Sequence, residues 1–242
     1  MSLHVIIPAR YGSSRFPGKP LVDIGGKPMI QHVMERAAKA EDVATVAVAT
    51  DDERIAKAVE AFGGRVIMTP SDLRSGSDRV ALAAELLGIG PQELVVNVQG
   101  DQPLLPPEVI TQTAKPLLDE PDLGMSTPVM PIRRPEEVGD PNHVKVVMAA
   151  NGDALYFSRQ AIPHPRDGGH VTYYKHLGVY VFRASFLATF AKLPTGQLED
   201  LEKLEQLRVL EAGFAIRCVI TPFDSPEVDC PEDALRVANL LD

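Results

Sequence analysis

The sequence predicts an α/β protein with a doubly wound core, and three observations carry that prediction. Apolar runs of strand length recur at residues 3–7, 44–50 and 93–98 without polar alternation, as strands covered by helices on both faces require. Amphipathic helical patterns separate these runs. A loop holding four glycines follows the first run directly, where open α/β sheets bind ligands.

In order, residues 3–7 read as a buried strand, residues 8–27 as the loop and residues 29–40 as a helix. A second strand at 44–50 leads to Asp51, read as the cap of a helix carrying Ile55, Ala58, Val59 and Phe62, which Gly63-Gly64 ends before a strand at 66–68. A helix over 78–87 and the strand at 93–98 complete the core. Residues 124–130, 144–149, 154–158 and 177–183 read as closely spaced strands with Pro-rich turns among them, an antiparallel or mixed extension of the sheet. Residues 200–212 read as one helix with Leu201, Leu204, Leu207 and Leu210 as its apolar stripe, followed by a strand at 215–221 and a closing helix at 231–241. With no internal repeat or low-complexity linker, the expectation is one domain over 1–242, with a small lobe inserted at roughly 125–200.

Composition narrows the function classes. With 45% hydrophobic and 24% charged residues the chain is of ordinary globular type. No apolar run of 18 residues or basic leader is seen, so the expectation is a cytoplasmic protein that does not enter a membrane. A net charge of −9 argues against nucleic acid and anionic lipid surfaces, both of which need a basic face. Cys218 and Cys230 lack metal spacing and read as structural thiols. An anionic ligand must therefore be drawn by a local basic cluster or by metal ions.

Such a cluster exists. Ile7-Pro8-Ala9-Arg10-Tyr11-Gly12-Ser13-Ser14-Arg15-Phe16-Pro17-Gly18-Lys19-Pro20 places three cations on one glycine-containing loop. Glycines let backbone N–H groups approach phosphate oxygens, Arg10 and Arg15 bind such oxygens bidentately, and Lys19 adds a compact charge. The bland alternative is a solvated basic loop. The spacing matches neither the GxGxxG of a dinucleotide site nor the GxxxxGK[ST] of a P-loop, which removes most support for redox and P-loop NTPase readings.

The loop closely resembles the signature of the sugar nucleotidyltransferases, in particular the cytidylyltransferases that activate 3-deoxy-manno-octulosonate (KDO), a group that includes a subgroup acting on its 8-amino-3,8-dideoxy analogue. The resemblance continues through Ser75-Gly76-Ser77-Asp78-Arg79, Asn97-Val98-Gln99-Gly100-Asp101-Gln102-Pro103, Tyr156-Phe157-Ser158-Arg159, His176-Leu177-Gly178-Val179-Tyr180, Leu204-Glu205-Gln206-Leu207-Arg208 and Val228-Asp229-Cys230-Pro231-Glu232-Asp233. It covers almost the whole chain. It implies a Rossmann-like nucleotidyltransferase fold with a mixed sheet, and transfer of CMP from CTP to KDO, an acidic eight-carbon sugar, for lipopolysaccharide biosynthesis, by a homodimer.

The resemblance also assigns roles. Arg10, Lys19, Asp101 and Asp229 are expected to be catalytic, with Asp101 and Asp229 holding Mg2+. Ala9, Arg10, Arg15, Lys19, Ser75 and Arg79 are expected to bind the nucleotide, and Gln99, Arg159, His176, Tyr180, Glu205 and Gln206 the sugar. The residue chemistry is compatible. Asp101 lies just past a buried strand, hard carboxylate oxygens suit magnesium, and arginine pairs with a carboxylate while amide, phenol and imidazole bond hydroxyls. Bland readings stand beside these: turn formers for the aspartates, helix caps at 75–78, core residues for His176 and Tyr180 on one strand face, and solvated helix positions for Glu205 and Gln206.

The chain departs from the resembling pattern in three places: Gln102 where Glu is usual, Cys230 where Thr is usual, and a shorter stretch over 164–175. These departures bear on the acceptor end, where the parent sugar and the 8-amino analogue are both consistent. Rival readings are a synthetase for another sugar acid of the sialic acid type, a sugar-phosphate transferase using a different nucleotide, a non-catalytic CTP sensor, and a structural or interaction protein.

Overall fold

The structure, a computed structural model, describes residues 2–12 and 16–240. Its first half is parallel. Strands β1 (Leu3–Ala9), β4 (Val43–Thr50), β5 (Arg65–Met68) and β6 (Leu94–Asn97) lie in the order β5-β4-β1-β6, all pairings parallel. A small hairpin of β2 (Asp23–Ile24) and β3 (Lys27–Pro28) interrupts the first crossover. Helices α1 (Met29–Ala37), α2 (Glu53–Ala61) and α3 (Gly76–Leu86) make the connections.

Both faces of β1, β6 and the second half of β4 are buried, which explains their apolar runs, whereas the edge strand β5 is only partly covered. Val5 and Ile7 of β1 join one core with Ile30 and Val33 of α1 and Val59 of α2, whereas Ile6 joins a second core with Val80 and Ala83 of α3. Successive side chains of a strand point to opposite faces, so one strand feeds two cores.

The sheet becomes mixed at β11 (Tyr180–Arg183), which pairs antiparallel with both β6 and β7 (Met125–Pro131). Strand β7 serves three partners: β11 at residues 125–126, β10 (Tyr174–His176) at 129–131, and β12 (Arg217–Ile220) in parallel. Beyond β10 the sheet continues antiparallel into β8 (Lys145–Met148) and β9 (Ala154–Ser158), and a bridge from Asp153 to Arg217 ties their turn back to β12. The remaining helices are α4 (Pro107–Asp119), α5 (Glu136–Gly139), α6 (Ala184–Phe190), α7 (Gln197–Glu202), α8 (Leu207–Glu211) and α9 (Pro231–Ala238). Among the described residues, no helix is long and apolar enough to cross a membrane.

Several sequence expectations need correction. The cap of α2 is Asp52, which accepts from the Arg54 backbone N–H at 2.9 Å, while Asp51 turns inward to pair with Arg79. Helix α3 begins two residues early because Ser75 caps it, accepting from the Asp78 N–H at 3.1 Å. Helix α4 was not anticipated, although Pro107 in its first turn and Val109, Ile110, Ala114 and Leu117 on its buried face mark it. The strand expected over 177–183 breaks at Gly178, whose φ of 68° is left-handed. The closing helix ends at Ala238, and residue 241 of that expectation lies outside the described residues.

The largest correction concerns residues 200–212. They form two short helices, not one, because Lys203 adopts a left-handed φ of 53° and stops α7. Leu204 and Leu207 are buried, but Leu201 is left exposed. The break is held by buried charge: Arg208 Nε and Nη2 donate to the two oxygens of Glu199 at 2.8 and 2.5 Å, and its Nη1 donates to Asp78 of α3 at 3.1 Å. A buried ion pair contributes little over an apolar substitute, yet removing one partner strands the other charge. Arg208→Leu is therefore expected to lower unfolding free energy in urea by about 3–5 kcal/mol. An effect below about 1 kcal/mol would show that the network does not hold the turn.

Candidate active site

The parallel strands β1 and β6 end at the same edge, and antiparallel β11 begins there: Tyr180 lies opposite Asn97 in the pairing. Loops after these ends converge closely. A side chain at Gly76 would meet Pro8 at 3.5 Å and Gln99 at 3.8 Å, and one at Gly100 would meet the Pro8 carbonyl at 3.2 Å. Small residues are what allow the 8–10, 75–77 and 99–101 segments to share this space.

Lys19 is the meeting point of the first loop with the two aspartates. Its Nζ donates to Asp101 Oδ2 at 2.7 Å and to Asp229 Oδ1 at 3.2 Å. Burial alone would lower this ammonium, but the two carboxylates outweigh it and hold its pKa above the ordinary value. Asp229 is brought here by the chain around it. The Val228 N–H donates to the Asp101 carbonyl at 3.0 Å, and Val228 packs with Ile24, Met29, Ala234 and Val237. Cys230 caps α9, with its thiol and backbone N–H both bonded to Asp233. Among the described residues Asp101 Oδ1 is buried with no hydrogen-bond partner, an acceptor suited to a cation.

Arg10 is exposed and donates to the Leu73 carbonyl, which draws the first loop against the segment before α3. Ala9 is buried in the β1 core. Arg79 is wholly buried, donating to Asp51 at 3.0 Å and to the Thr69 hydroxyl; burial pulls its pKa down, Asp51 opposes that, and the nearby charge of Arg10 adds to the lowering. Arg15 lies outside the described residues.

The expected sugar residues gather in one cavity of about 270 Å3, lined by Gln99, Asp101, Arg159, His176, Tyr180, Glu205, Gln206 and Asp229 among others. A larger cavity, about 750 Å3 between α3 and α6, is lined by Asp78 of the 75–79 motif but by none of the residues assigned a catalytic or binding role. Gln99 donates to Asn97 and to the Gly178 carbonyl, both at 3.3 Å. Arg159 is anchored by backbone carbonyls, its Nε donating to Glu202 at 2.7 Å and its Nη1 to Pro141 at 2.9 Å. Tyr180 donates to Gln206 Oε1 at 2.9 Å, leaving the buried Gln206 Nε2 without a partner.

The expected common face of His176 and Tyr180 survives the break at Gly178, with ring centroids 5.3 Å apart. The Thr127 hydroxyl donates to the Val179 carbonyl at 2.6 Å, so His176 Nε2, 2.8 Å away, must donate to Thr127. Burial pushes the His176 pKa down to about 3. Glu205 is not a solvated helix residue. Lying between α7 and α8, it accepts from the Ser77 N–H at 3.2 Å and hydroxyl at 2.8 Å, while burial raises its carboxyl above the usual value against those bonds.

The lining residues Asn142, Lys203 and Glu227 escaped the sequence reading. Glu227 faces the cavity two residues before Asp229, and the Gln102 amide donates to it at 3.4 Å. Glu227 is exposed at its outer side, while the protein packed round its carboxyl and the neighbouring charges of Asp101 and Asp229 raise its pKa above the ordinary value. Among the described residues, no cluster of three or more His, Cys, Asp or Glu side chains is set to hold a metal ion, so any ion here relies on the two aspartates plus ligand oxygens.

The chain is similar to known proteins along its whole length. A 3-deoxy-manno-octulosonate cytidylyltransferase of Desulfatibacillum aliphaticivorans is 56% identical over 100% of this chain and 99% of its own. An 8-amino-3,8-dideoxy-manno-octulosonate cytidylyltransferase of Shewanella halifaxensis is 55% identical over 96% of each chain. A solved CMP:2-keto-3-deoxy-manno-octonic acid synthetase complexed with CTP superposes with a TM-score of 0.93 at 43% identity, covering 100% of this chain and 98% of that one. The model of the cytidylyltransferase family matches residues 4–217, and the chain belongs to that family of nucleotidyltransferase enzymes.

Proposed function

We propose that the enzyme joins CTP to 3-deoxy-D-manno-octulosonate, giving CMP-KDO and pyrophosphate for lipopolysaccharide biosynthesis. One observation carries the reading: Lys19 of the glycine-containing loop meets Asp101 and Asp229 at the mouth of a polar cavity lined by Arg159, His176 and Tyr180. The relatives named for KDO and the CTP-bound synthetase support it. The 8-amino analogue is the second reading, supported by relatives named for it and by Gln102 beside Glu227.

In this reaction the anomeric hydroxyl oxygen of the sugar attacks the α-phosphorus of CTP in line. The new P–O bond forms as the bond to the β-phosphate breaks, the hydroxyl proton is lost to solvent, and pyrophosphate departs. Arg10, Arg15 and Lys19 offset charge on the triphosphate. Ala9, Ser75 and Arg79 are assigned to the cytidine, consistent with the contact between the first loop and the start of α3. Arg159 faces the sugar carboxylate, and Gln99, His176, Tyr180, Glu205 and Gln206 bond its hydroxyls. His176, neutral and protonated on Nε2, offers Nδ1 as an acceptor.

Asp101 and Asp229 suit Mg2+, the unpartnered Asp101 Oδ1 above all. The ion would supply charge stabilisation at the reacting phosphate. In our reading residues 1–242 form one nucleotidyltransferase domain, with an acceptor-binding and self-association lobe at roughly 125–200, and the enzyme acts as a cytoplasmic homodimer.

Pyrophosphate release from CTP and KDO, with no-acceptor and EDTA controls, tests the reaction; a CTP sensor would release none. Asp101→Asn is expected to lower kcat about a hundredfold or more with an unchanged circular dichroism spectrum. Near-normal turnover by that variant would remove the metal role. For His176 the folded pKa lies below the unfolded value of 6.5, so the unfolded chain binds the proton first as pH falls. Wild type should therefore lose stability relative to His176→Gln as pH is lowered from 7 towards 4, measured by urea unfolding. A difference independent of pH would place the imidazole in solvent.

A further inference from the structure

Glu227 is the one carboxylate of the cavity without a strong partner. Asp101 and Asp229 share Lys19, and Glu205 holds two bonds from Ser77. Glu227 has only the 3.4 Å bond from Gln102, and no described Lys, Arg or His nitrogen pairs with it. A cationic partner would hold it ionised, and a carboxylate offers about four acceptor sites, so Glu227 has acceptor capacity left at the cavity wall for a cationic group of the ligand.

Its position is set. Gln102 is fully buried and spends one amide hydrogen on the Leu177 carbonyl and the other on Glu227. Two acceptors on one side fix which end of the amide carries the hydrogens. Gly178 closes the group: a side chain there would lie 3.4 Å from Gln102 Nε2 and 3.5 Å from Glu227 Oε1. The cavity thus presents the Arg159 cation in one place and an unpaired carboxylate in another. A sugar acid bearing an ammonium group carries the complementary charges, whereas the parent sugar offers Glu227 only a neutral hydroxyl.

We propose that Glu227, positioned by Gln102, is the acceptor-specificity residue, pairing with an ammonium substituent of the sugar acid so that the 8-amino analogue is used in preference to the 8-hydroxyl parent. This rests on the reading of the cavity as the octulosonate site. An ammonium supplies three donors and a full charge, and charge-assisted bonds are about twice as strong as neutral ones. The Gln102 amide keeps the carboxylate facing the ligand without competing as a cation.

The test is kcat/KM for both sugars, each with CTP and Mg2+, in wild type, Glu227→Gln and Glu227→Asp. Wild type is expected to favour the amino sugar by at least about tenfold, as losing one charged bond implies. Glu227→Gln should bring the ratio to about one, chiefly through a raised KM for the amino sugar, and Glu227→Asp should retain part of it. Wild-type preference for the parent sugar overturns the assignment whatever the variants do, as does a ratio that Glu227→Gln leaves unchanged. In both of those cases turnover itself upholds the octulosonate reading. Turnover of neither sugar by wild type overturns that reading and this assignment with it.

Discussion

Lys19 between Asp101 and Asp229 is the interaction on which the site depends. Three chain segments separated by 82 and 210 residues meet at one nitrogen. Two carboxylates held this close repel each other, and a cation must lie between them for the loops to stay together. Side-chain exposures of 15%, 23% and 32% keep solvent from screening the contact fully. The same electrostatics that draws these loops together would, under the proposed function, suit a triphosphate with its counter-ion. The basic loop is thus poised by the carboxylates that would share its ligand.

Around that centre, function is concentrated where regular structure stops. Gly178 breaks a strand so that β10 and β11 pair with different stretches of β7, while the His176 and Tyr180 rings remain in contact. Lys203 breaks a helix, and the residues after it, Glu205 and Gln206, turn in towards Ser77 and Tyr180. Left-handed backbone at a lysine is unfavourable by roughly 1–2 kcal/mol, which the buried Arg208 network offsets by fixing the following turn onto α3.

The parallel half of the fold was legible because both faces of its strands are buried, and that leaves an unmistakable run of apolar residues in β1, β4 and β6. The antiparallel half was less so. A leucine every three residues over 201–210 promises one helix, and only the buried Arg208, invisible to periodicity, shows why two form. Asp51 and Asp52 are equally good caps on paper; the choice was made by Arg79, which requires Asp51 as its partner across 28 residues. The candidate site residues were named through family resemblance, and the geometry brings Gln99, Arg159, His176, Tyr180, Glu205 and Gln206 to one cavity with the two aspartates. Glu227 was missed because it sits in a proline-containing loop with no pattern. Its closeness to Asp229 in the chain was the only signal.

The placement of Asp229 has a consequence for how the molecule is made. Strands β1, β4 and β6, with the first loop and Asp101, emerge from the ribosome early. Asp229 follows 128 residues later, after every strand of the sheet, and Val228 docks it against Asp101 only then. A nascent or truncated chain ending before this segment would carry the basic loop and one aspartate but no completed pair. Under the proposed function, turnover would therefore require that synthesis has run through the last sheet strand.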